Sequence, residues 1–205
     1  MTNSCQDARI DWRVPDGRPD WLLGAGAVRT ERRTVWTASA VATGALVAVT
    51  AVQDVAWSWW QWALVVALTV DVAGGVVANA LGSAKRFYHS PVPPGLPLLP
   101  RVVRDHVGFA AVHMHPFVVA ATLPDATWLW AGTWYLVSLA GTVAVVGVPL
   151  YLRRPLAAGV VTVAVIAAPL LDAPAGLAWF GPVLALKLVA AHAVREEPYR
   201  PAAAG

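Results

Sequence analysis

Four ionisable side chains lie within long apolar stretches of this 205-residue chain. Their types and positions make them the main candidates for a catalytic or binding site. They are Asp71, His113, His115 and Lys187. A charge at membrane depth costs about 3 kcal/mol on insertion scales, so such residues face a bundle interior and indicate a functional site. If each stretch is a membrane-spanning helix, a rise of 1.5 Å per residue places each of the four side chains about 11–16 Å from the cytoplasmic end of its own helix. The four side chains then lie in one layer.

Helical spacing predicts which of these groups share a face. Asp71, Gly75 and Asn79 are four residues apart and form one stripe. An adjacent stripe of small residues lets another helix approach closely: Gly74, Ala78 and Gly82.

The two central histidines are two residues apart and would point about 160° away from each other on a continuous helix. One unbroken helix therefore cannot present both His113 and His115 to a single metal ion. A break near Pro116 would permit it, because proline cannot donate its N–H and clashes with the preceding turn.

We predict a site that extends from this layer to the cytoplasmic interface. The expected catalytic residues are Asp71, His113, Asn79 and Lys187. The expected substrate contacts are Tyr88, Arg86 and Trp134. If a metal is bound, the expected ligands come from the histidines His89, His106, His113 and His115, with Asp71.

Two mechanisms fit these residues. In the first, Asp71 is protonated in an apolar site and donates to an alkene or epoxide, with His113 as the complementary base. In the second, the histidines and Asp71 hold zinc or iron with a bound hydroxide or oxidant. The absence of diagnostic ligand spacing favours the acid–base version.

Each of these residues could instead have a purely structural role. Asp71 and Lys187 could be a buried ion pair joining two helices without chemistry. Asn79 could simply bond a neighbouring helix. His89, His106 and His192 lie at the predicted cytoplasmic interface between membrane and water, where histidine is a common residue. We expect His192 to be a residue of that interface without a further role.

The composition indicates that much of this chain is surrounded by lipid. Hydrophobic residues make up 58% and charged residues 13%, against roughly 45–50% and 25% in soluble domains. The apolar excess must face lipid, so we expect an all-α, polytopic integral membrane bundle. A disulfide scaffold is excluded because Cys5 is the single cysteine.

Apolar segments and basic residues together predict the topology. We expect six transmembrane helices, at 35–53, 56–82, 106–123, 127–151, 155–172 and 176–194. Of the 15 Lys and Arg residues, all but Lys187 fall in the tails and loops of one side, which places both termini in the cytoplasm. The organisation is then an N-terminal arm (1–34), a transmembrane domain (35–194) with a Pro-rich cytoplasmic loop (83–105), and a tail (195–205).

Tryptophan and proline are unevenly distributed. Eight of the 11 tryptophans begin the second, fourth and sixth segments near the outer interface, as an aromatic belt would. The alternative is an aromatic-lined cavity for a lipophilic or cationic substrate. The five prolines between Ser90 and Pro100 predict an extended connector or a lid.

Several enzyme classes are excluded by absent motifs. The chain has no HExxH zinc motif, no paired-cysteine zinc spacing and no P-loop, so no nucleotide cofactor is expected. In general type, as a small, polytopic, Trp-rich chain with isolated membrane acids, it is similar to membrane-bound terpene cyclases. No motif carries that similarity, so it assigns no residue a role.

We therefore expect a cell-membrane enzyme that acts on an isoprenoid or other lipid, for example by cyclisation or isomerisation. The alternatives are a small proton-coupled transporter or channel and a structural partner protein. The expected partners are the bilayer, a lipophilic substrate and a second copy of the chain in a homodimer, with no nucleic acid. The ratio of 13 Arg to 2 Lys suggests a GC-rich bacterial gene.

Overall fold

A computed structural model describes residues 8–17, 19–20 and 22–202. The single cysteine, Cys5, and one basic residue of the predicted arm, Arg18, lie outside the described residues, as do other parts of the predicted arm and tail. The described chain is mostly helical, as the sequence predicts. We number its helices and strands in chain order: β1 Ala8–Ile10, α1 Arg29–Val52, α2 Trp59–Ala80, α3 Gly82–His89, α4 Leu98–Arg104, α5 His106–Ala111, α6 His115–Thr122, α7 Trp128–Gly147, α8 Leu150–Leu170, α9 Phe180–His192 and β2 Tyr199–Pro201.

Four of these helices are long and apolar enough to cross a membrane: α1, α2, α7 and α8. They indicate a membrane protein. The other two predicted spans differ from regular long helices. The 106–123 segment is divided into α5 and α6, and α9 is a shorter apolar helix.

The 155–172 segment is longer than predicted. Its helix α8 begins at Leu150, so Arg153 and Arg154 lie in its first turns instead of in a loop. Arg153 turns back and donates to the carbonyls of Val146 and Val148, where a cation stabilises the end of α7.

Two helices contain a π-helical segment at the depth of the ionisable layer. Val70–Gly74 interrupts α2 and includes Asp71, and Leu186–His192 completes α9 and includes Lys187. A π segment bonds each N–H to the fifth preceding carbonyl and is frequent at functional sites. Both members of the predicted ion pair therefore lie on locally widened backbone.

Close helix contacts depend on small residues. A side chain at Gly74 would overlap Ser39 of α1, as the small-residue stripe predicts. At Gly181 of α9 it would overlap the ring of Trp134 in α7. Trp134 and Phe180 belong to one apolar core cluster that includes residues of α2, α7 and α9.

The tryptophans differ in exposure, so the belt interpretation holds for only some of them. Trp59, Trp60 and Trp128 are exposed, as an interfacial belt requires. Trp57, Trp130 and Trp134 are buried in the apolar core instead.

The predicted Pro-rich loop at 83–105 contains two helices. Lys85 lies in α3, and Arg101 lies in α4, so the longest non-helical stretch is 90–97, somewhat shorter than the extended stretch predicted at 90–100. The helices form because the prolines cluster between them, and Pro100 falls in the first turn of α4, where its missing N–H costs nothing.

The N-terminal arm is folded onto this region. Asp20 accepts hydrogen bonds from the backbone N–H groups of Leu22 and Leu23 and from Arg32 of α1. Gly24 follows with a φ of +76° and lies against the backbone of α3. Strand β1 pairs antiparallel with β2 near the C-terminus, a ribbon that the sequence did not predict.

Lys85 links α3 to the end of α9. Its Nζ donates to the carbonyls of Ala191 and Val194, both at 2.6 Å, and satisfies acceptors that the helix end leaves free. Burial lowers the pKa of Lys85 to about 8. This contact holds the 83–105 segment against the helix that carries Lys187.

We predict that Gly24→Ala weakens docking of the arm. An added Cβ would lie 2.6 Å from the Ser83 carbonyl oxygen, and overpacking of this kind costs about 1–3 kcal/mol. Gly95→Ala is the matched control, since Gly95 has a similar φ of +79° but nothing within 4 Å of the added atom. Thermal unfolding and protease sensitivity of the arm in detergent measure the difference. Equal effects of the two changes would show that backbone strain, not the contact, matters.

Candidate functional site

A cavity of about 340 Å³ lies between α2, α5, α6 and α9. Its polar lining consists of Asp71, Asn79, Tyr88, His113, His115 and Lys187. The predicted stripe of α2 is therefore correct, because Asp71, Gly75 and Asn79 all line this cavity. Apolar side chains, among them Val103 and Val112, complete the wall.

Asp71 is the centre of the polar group. Its Oδ2 accepts a hydrogen bond from Lys187 Nζ at 2.7 Å and lies 3.3 Å from His115 Nε2. The Lys187 side chain is only 3% exposed, and Asp71 is 29% exposed. The buried ion pair that the sequence offered as a structural interpretation is present, and the histidine contact adds a second partner.

Gly75 makes room for this pair. A Cβ there would lie 2.7 Å from Cε of Lys187, so glycine lets the lysine side chain pass across α2 to Asp71. Gly75 therefore lies on the same helix face as Asp71, and it is also the small residue that leaves space there for the Lys187 side chain.

A break in the third apolar segment brings both central histidines to Asp71. Helix α5 ends at Ala111 and α6 begins at His115, with Pro116 in its first turn. The rings of His113 and His115 are 5.1 Å apart, not on opposite faces. Tyr135 of α7 donates to the Ala111 carbonyl at 3.0 Å and so satisfies an acceptor at the break.

The tautomer of His113 follows from its backbone contact. Its Nδ1 lies 2.6 Å from the carbonyl oxygen of Phe109. A carbonyl can only accept, so Nδ1 carries the hydrogen and Nε2 keeps its lone pair. That lone pair is available to a proton or to a metal ion.

Asn79 has an unused donor in the same cavity. The residue is 5% exposed, and its Nδ2 has no hydrogen-bond partner among the residues that the structure describes. A buried unsatisfied amide is costly, so this group calls for an acceptor supplied by a ligand or by water.

The remaining three histidines form a second cluster. His106 Nδ1 lies 3.3 Å from His192 Nε2, and the His89 ring lies 4.3 Å from the His106 ring. His89 Nε2 donates to the His192 carbonyl at 3.1 Å. Burial, then the neighbouring His106 and Lys85, lowers the pKa of His89 to about 3, which keeps it neutral at pH 7.

Phe109 lies between the two histidine groups. Its ring stacks on His192 at 3.9 Å and contacts His113 at 4.4 Å. All five histidines of the chain therefore lie in one file, which we call the histidine file: His89, His106, His192, His113 and His115. It leads from the end of α3 to Asp71.

The predicted site residues are thus brought together in part. Asp71, Asn79, His113, Lys187, His115 and Tyr88 line the cavity. Arg86 is fully buried, but it lies outside the lining, with Nη1 3.5 Å from the Asp11 carbonyl. Trp134 packs on Gly181 and lines a groove between α7 and α8.

The predicted metal ligands separate into two groups. Among the described residues, the histidine and acidic atoms that gather within 4.8 Å belong to Asp71, His113 and His115. His89 and His106 bond to His192 or its backbone instead. The reason is the helix break, which turns His115 inward and leaves His106 on the preceding short helix.

His192 is the residue that sequence reasoning missed. It is 1% exposed and central to the second cluster, a role that the sequence did not predict. Residues five apart lie on different faces of an α-helix, but they come closer to one face in a π segment, where each N–H bonds the carbonyl five residues before it. Since Leu186–His192 is π-helical, His192 comes onto the side of Lys187. The sequence carries no signal for this change of period.

A second cavity of about 430 Å³ adjoins the first. It lies between the N-terminal arm and the Pro-rich segment, and Tyr88 and Val103 line both cavities. Its wall includes Pro15 of the arm and Leu96 of the loop. The Pro-rich segment therefore covers a chamber beside the polar site, the lid position that the sequence offered as an alternative to a connector.

No family model, curated protein or solved structure matches this chain.

We predict strong coupling between Asp71 and Lys187. Asp71→Asn leaves a buried ammonium without its partner and should cost about 3–5 kcal/mol, whereas Lys187→Met leaves a partly exposed carboxylate and should cost less. The double variant should cost less than the two single changes together, by about 0.5–3 kcal/mol. Unfolding of all four proteins in detergent gives this cycle. Strict additivity would mean that the pair contributes nothing to stability.

Proposed function

We propose that the protein is a membrane-embedded enzyme that moves a proton on a lipophilic substrate, an isoprenoid or another lipid. The observation that carries this proposal is the shared cavity, where Asp71, His113 and His115 meet beside apolar walls. Cyclisation and isomerisation of alkenes or epoxides are the reactions that such a site suits.

The geometry favours histidine as the group that exchanges the proton. Asp71 is bonded to an ammonium group, so it acts as a carboxylate that orients its neighbour His115 at 3.3 Å and stabilises the imidazolium that forms when His115 takes up a proton. His113 supplies a free Nε2 lone pair as the complementary base. This differs from the sequence expectation that a protonated Asp71 is the donor.

Substrate binding is supported by the remaining lining. Asn79 offers an unpartnered donor to a substrate oxygen. Val103, Phe109 and Val112 form apolar surface on which a hydrocarbon would pack. The adjoining 430 Å³ chamber gives room for the rest of a long molecule, since sites for small lipophilic ligands span about 300–1,000 Å³.

The second candidate function is proton-coupled transport, and the histidine file favours it. Neutral imidazoles in contact can pass protons from one ring to the next. The direct 3.3 Å contact between His106 and His192 is the best-formed step. Phe109 interrupts the file, so passage would require its ring to move or water to bridge.

We also propose six transmembrane segments with both termini in the cytoplasm. The pairing of β1 with β2 supports this topology, because an even number of crossings brings the two ends of the chain to one side of the membrane, where they can pair. The broken α5–α6 segment and α9 supply two crossings in addition to the four long helices. The distribution of arginine gives the orientation.

We expect proton-transfer activity on polyprenyl alkenes and epoxides to depend on the cavity. His115→Gln should abolish turnover, as should the double change Asp71→Asn with Lys187→Met, which removes the carboxylate without leaving a buried charge. Asp172→Asn, on an exposed loop, is the matched control and should keep full activity. Product analysis by mass spectrometry in detergent provides the measurement.

The same assay separates the two functions. Turnover in detergent, without a closed vesicle, supports the enzyme. The opposite result is that no probe is converted, but vesicles containing the wild-type protein acidify faster than vesicles containing the His192→Gln variant. That result would support proton transport and not the enzyme.

Labelling with a membrane-impermeant maleimide tests the topology. In a Cys5→Ser background, Asp125→Cys and Asp172→Cys should react from outside intact cells. Gly95→Cys and Ala202→Cys should react only after permeabilisation. Reaction of Ala202→Cys from outside would overturn the cytoplasmic C-terminus.

A further inference from the structure

We propose that Asp71, His113 and His115 form a binding site for one divalent transition-metal ion, of the class of Zn²⁺, Co²⁺ or Fe²⁺. The proposal rests on the same cavity as the proposed function and specifies a cofactor for it. It narrows the ligand set expected from the sequence to one carboxylate and two imidazoles.

The spacing of the ligand atoms fits such an ion. One carboxylate oxygen and one nitrogen from each ring lie within 4.8 Å of one another. The closest pair, Asp71 Oδ2 and His115 Nε2, is 3.3 Å apart. Two tetrahedral ligands at about 2.0–2.1 Å from zinc are separated by about 3.4 Å, so this pair needs almost no movement.

The protonation and orientation of His113 also suit a ligand. Its Nδ1–H bond to the Phe109 carbonyl fixes the ring and leaves Nε2 as the donor atom. A backbone carbonyl on the second nitrogen is a usual outer partner of a metal-bound histidine. The break before Pro116 is what allows two histidines so near in sequence to share one ion.

The surroundings leave positions open. Two histidines and one carboxylate fill three positions, so water or substrate completes the coordination. The cavity of about 340 Å³ provides the space. The unpartnered Asn79 Nδ2 in its wall is a donor suited to an oxygen bound to the metal.

Lys187 is the natural competitor of the ion. Its ammonium group already bonds the same Asp71 oxygen that approaches His115. A divalent ion must share that carboxylate or displace the lysine. Removing the ammonium charge should therefore tighten metal binding.

Titration of the purified, chelator-treated protein with Co²⁺ tests the site. We expect one equivalent to bind, with the absorption of a nitrogen- and oxygen-ligated ion. His113→Ala and His115→Ala should each weaken binding more than about 100-fold, beyond the 10–100-fold typical of outer partners. Where an alanine variant does not fold, the corresponding glutamine variant replaces it.

Two controls make the result specific. His89→Ala and His106→Ala remove histidines of the second cluster and should bind Co²⁺ like the wild type. Lys187→Met should bind it more tightly, and adding Asp71→Asn to Lys187→Met should abolish the gain.

Failure to bind one equivalent of Co²⁺ by the folded wild type would overturn the proposal. Equal losses in His89→Ala and His113→Ala would do the same. A wild type that binds no metal but still converts a polyprenyl probe would leave the proposed acid–base function intact. Metal binding without conversion of any probe would instead retain the site and remove that function.

Discussion

The hydrogen-bonded ion pair between Asp71 and Lys187 is the interaction on which the rest of the site depends. In an apolar bundle each charge is costly without the other, so the pair fixes where α2 and α9 meet. Both helices widen into π segments at these residues, and Gly75 clears the path of the lysine. The carboxylate is thereby held at one point, and other groups can be positioned against it.

Three further features bring the histidines to that point. The break before Pro116 turns His115 toward Asp71, and Tyr135 satisfies the carbonyl that the break exposes. The π segment of α9 carries His192 onto the side of Lys187. Lys85 bonds the end of α9 and holds the loop helix α3, which carries His89, against the same region.

The sequence predicts the parts of this structure that follow from composition and regular periodicity. Apolar length gives the helices, and the four-residue spacing of Asp71, Gly75 and Asn79 gives the cavity face of α2. Departures from periodicity are not predictable in the same way. The break was foreseen because proline marks it in the sequence, whereas no residue type marks a π segment, so His192 was missed. Trp134 was misplaced because an aromatic residue near an interface can serve a belt, a core or a cavity equally well.

Charge balance links the two proposals for the cavity. The Asp71–Lys187 pair is neutral as a unit, and a proton passed between His115 and a substrate leaves the net charge of the cavity and its contents unchanged. A divalent ion adds two positive charges, and Asp71 cannot neutralise both it and Lys187. An anionic oxygen in the open position, such as hydroxide or a substrate alkoxide, would offset part of that charge, and Asn79 could donate to it. Because a lone charge at this depth is costly, metal binding and anion binding must favour each other, and the site would then be selective for substrates with an ionisable oxygen.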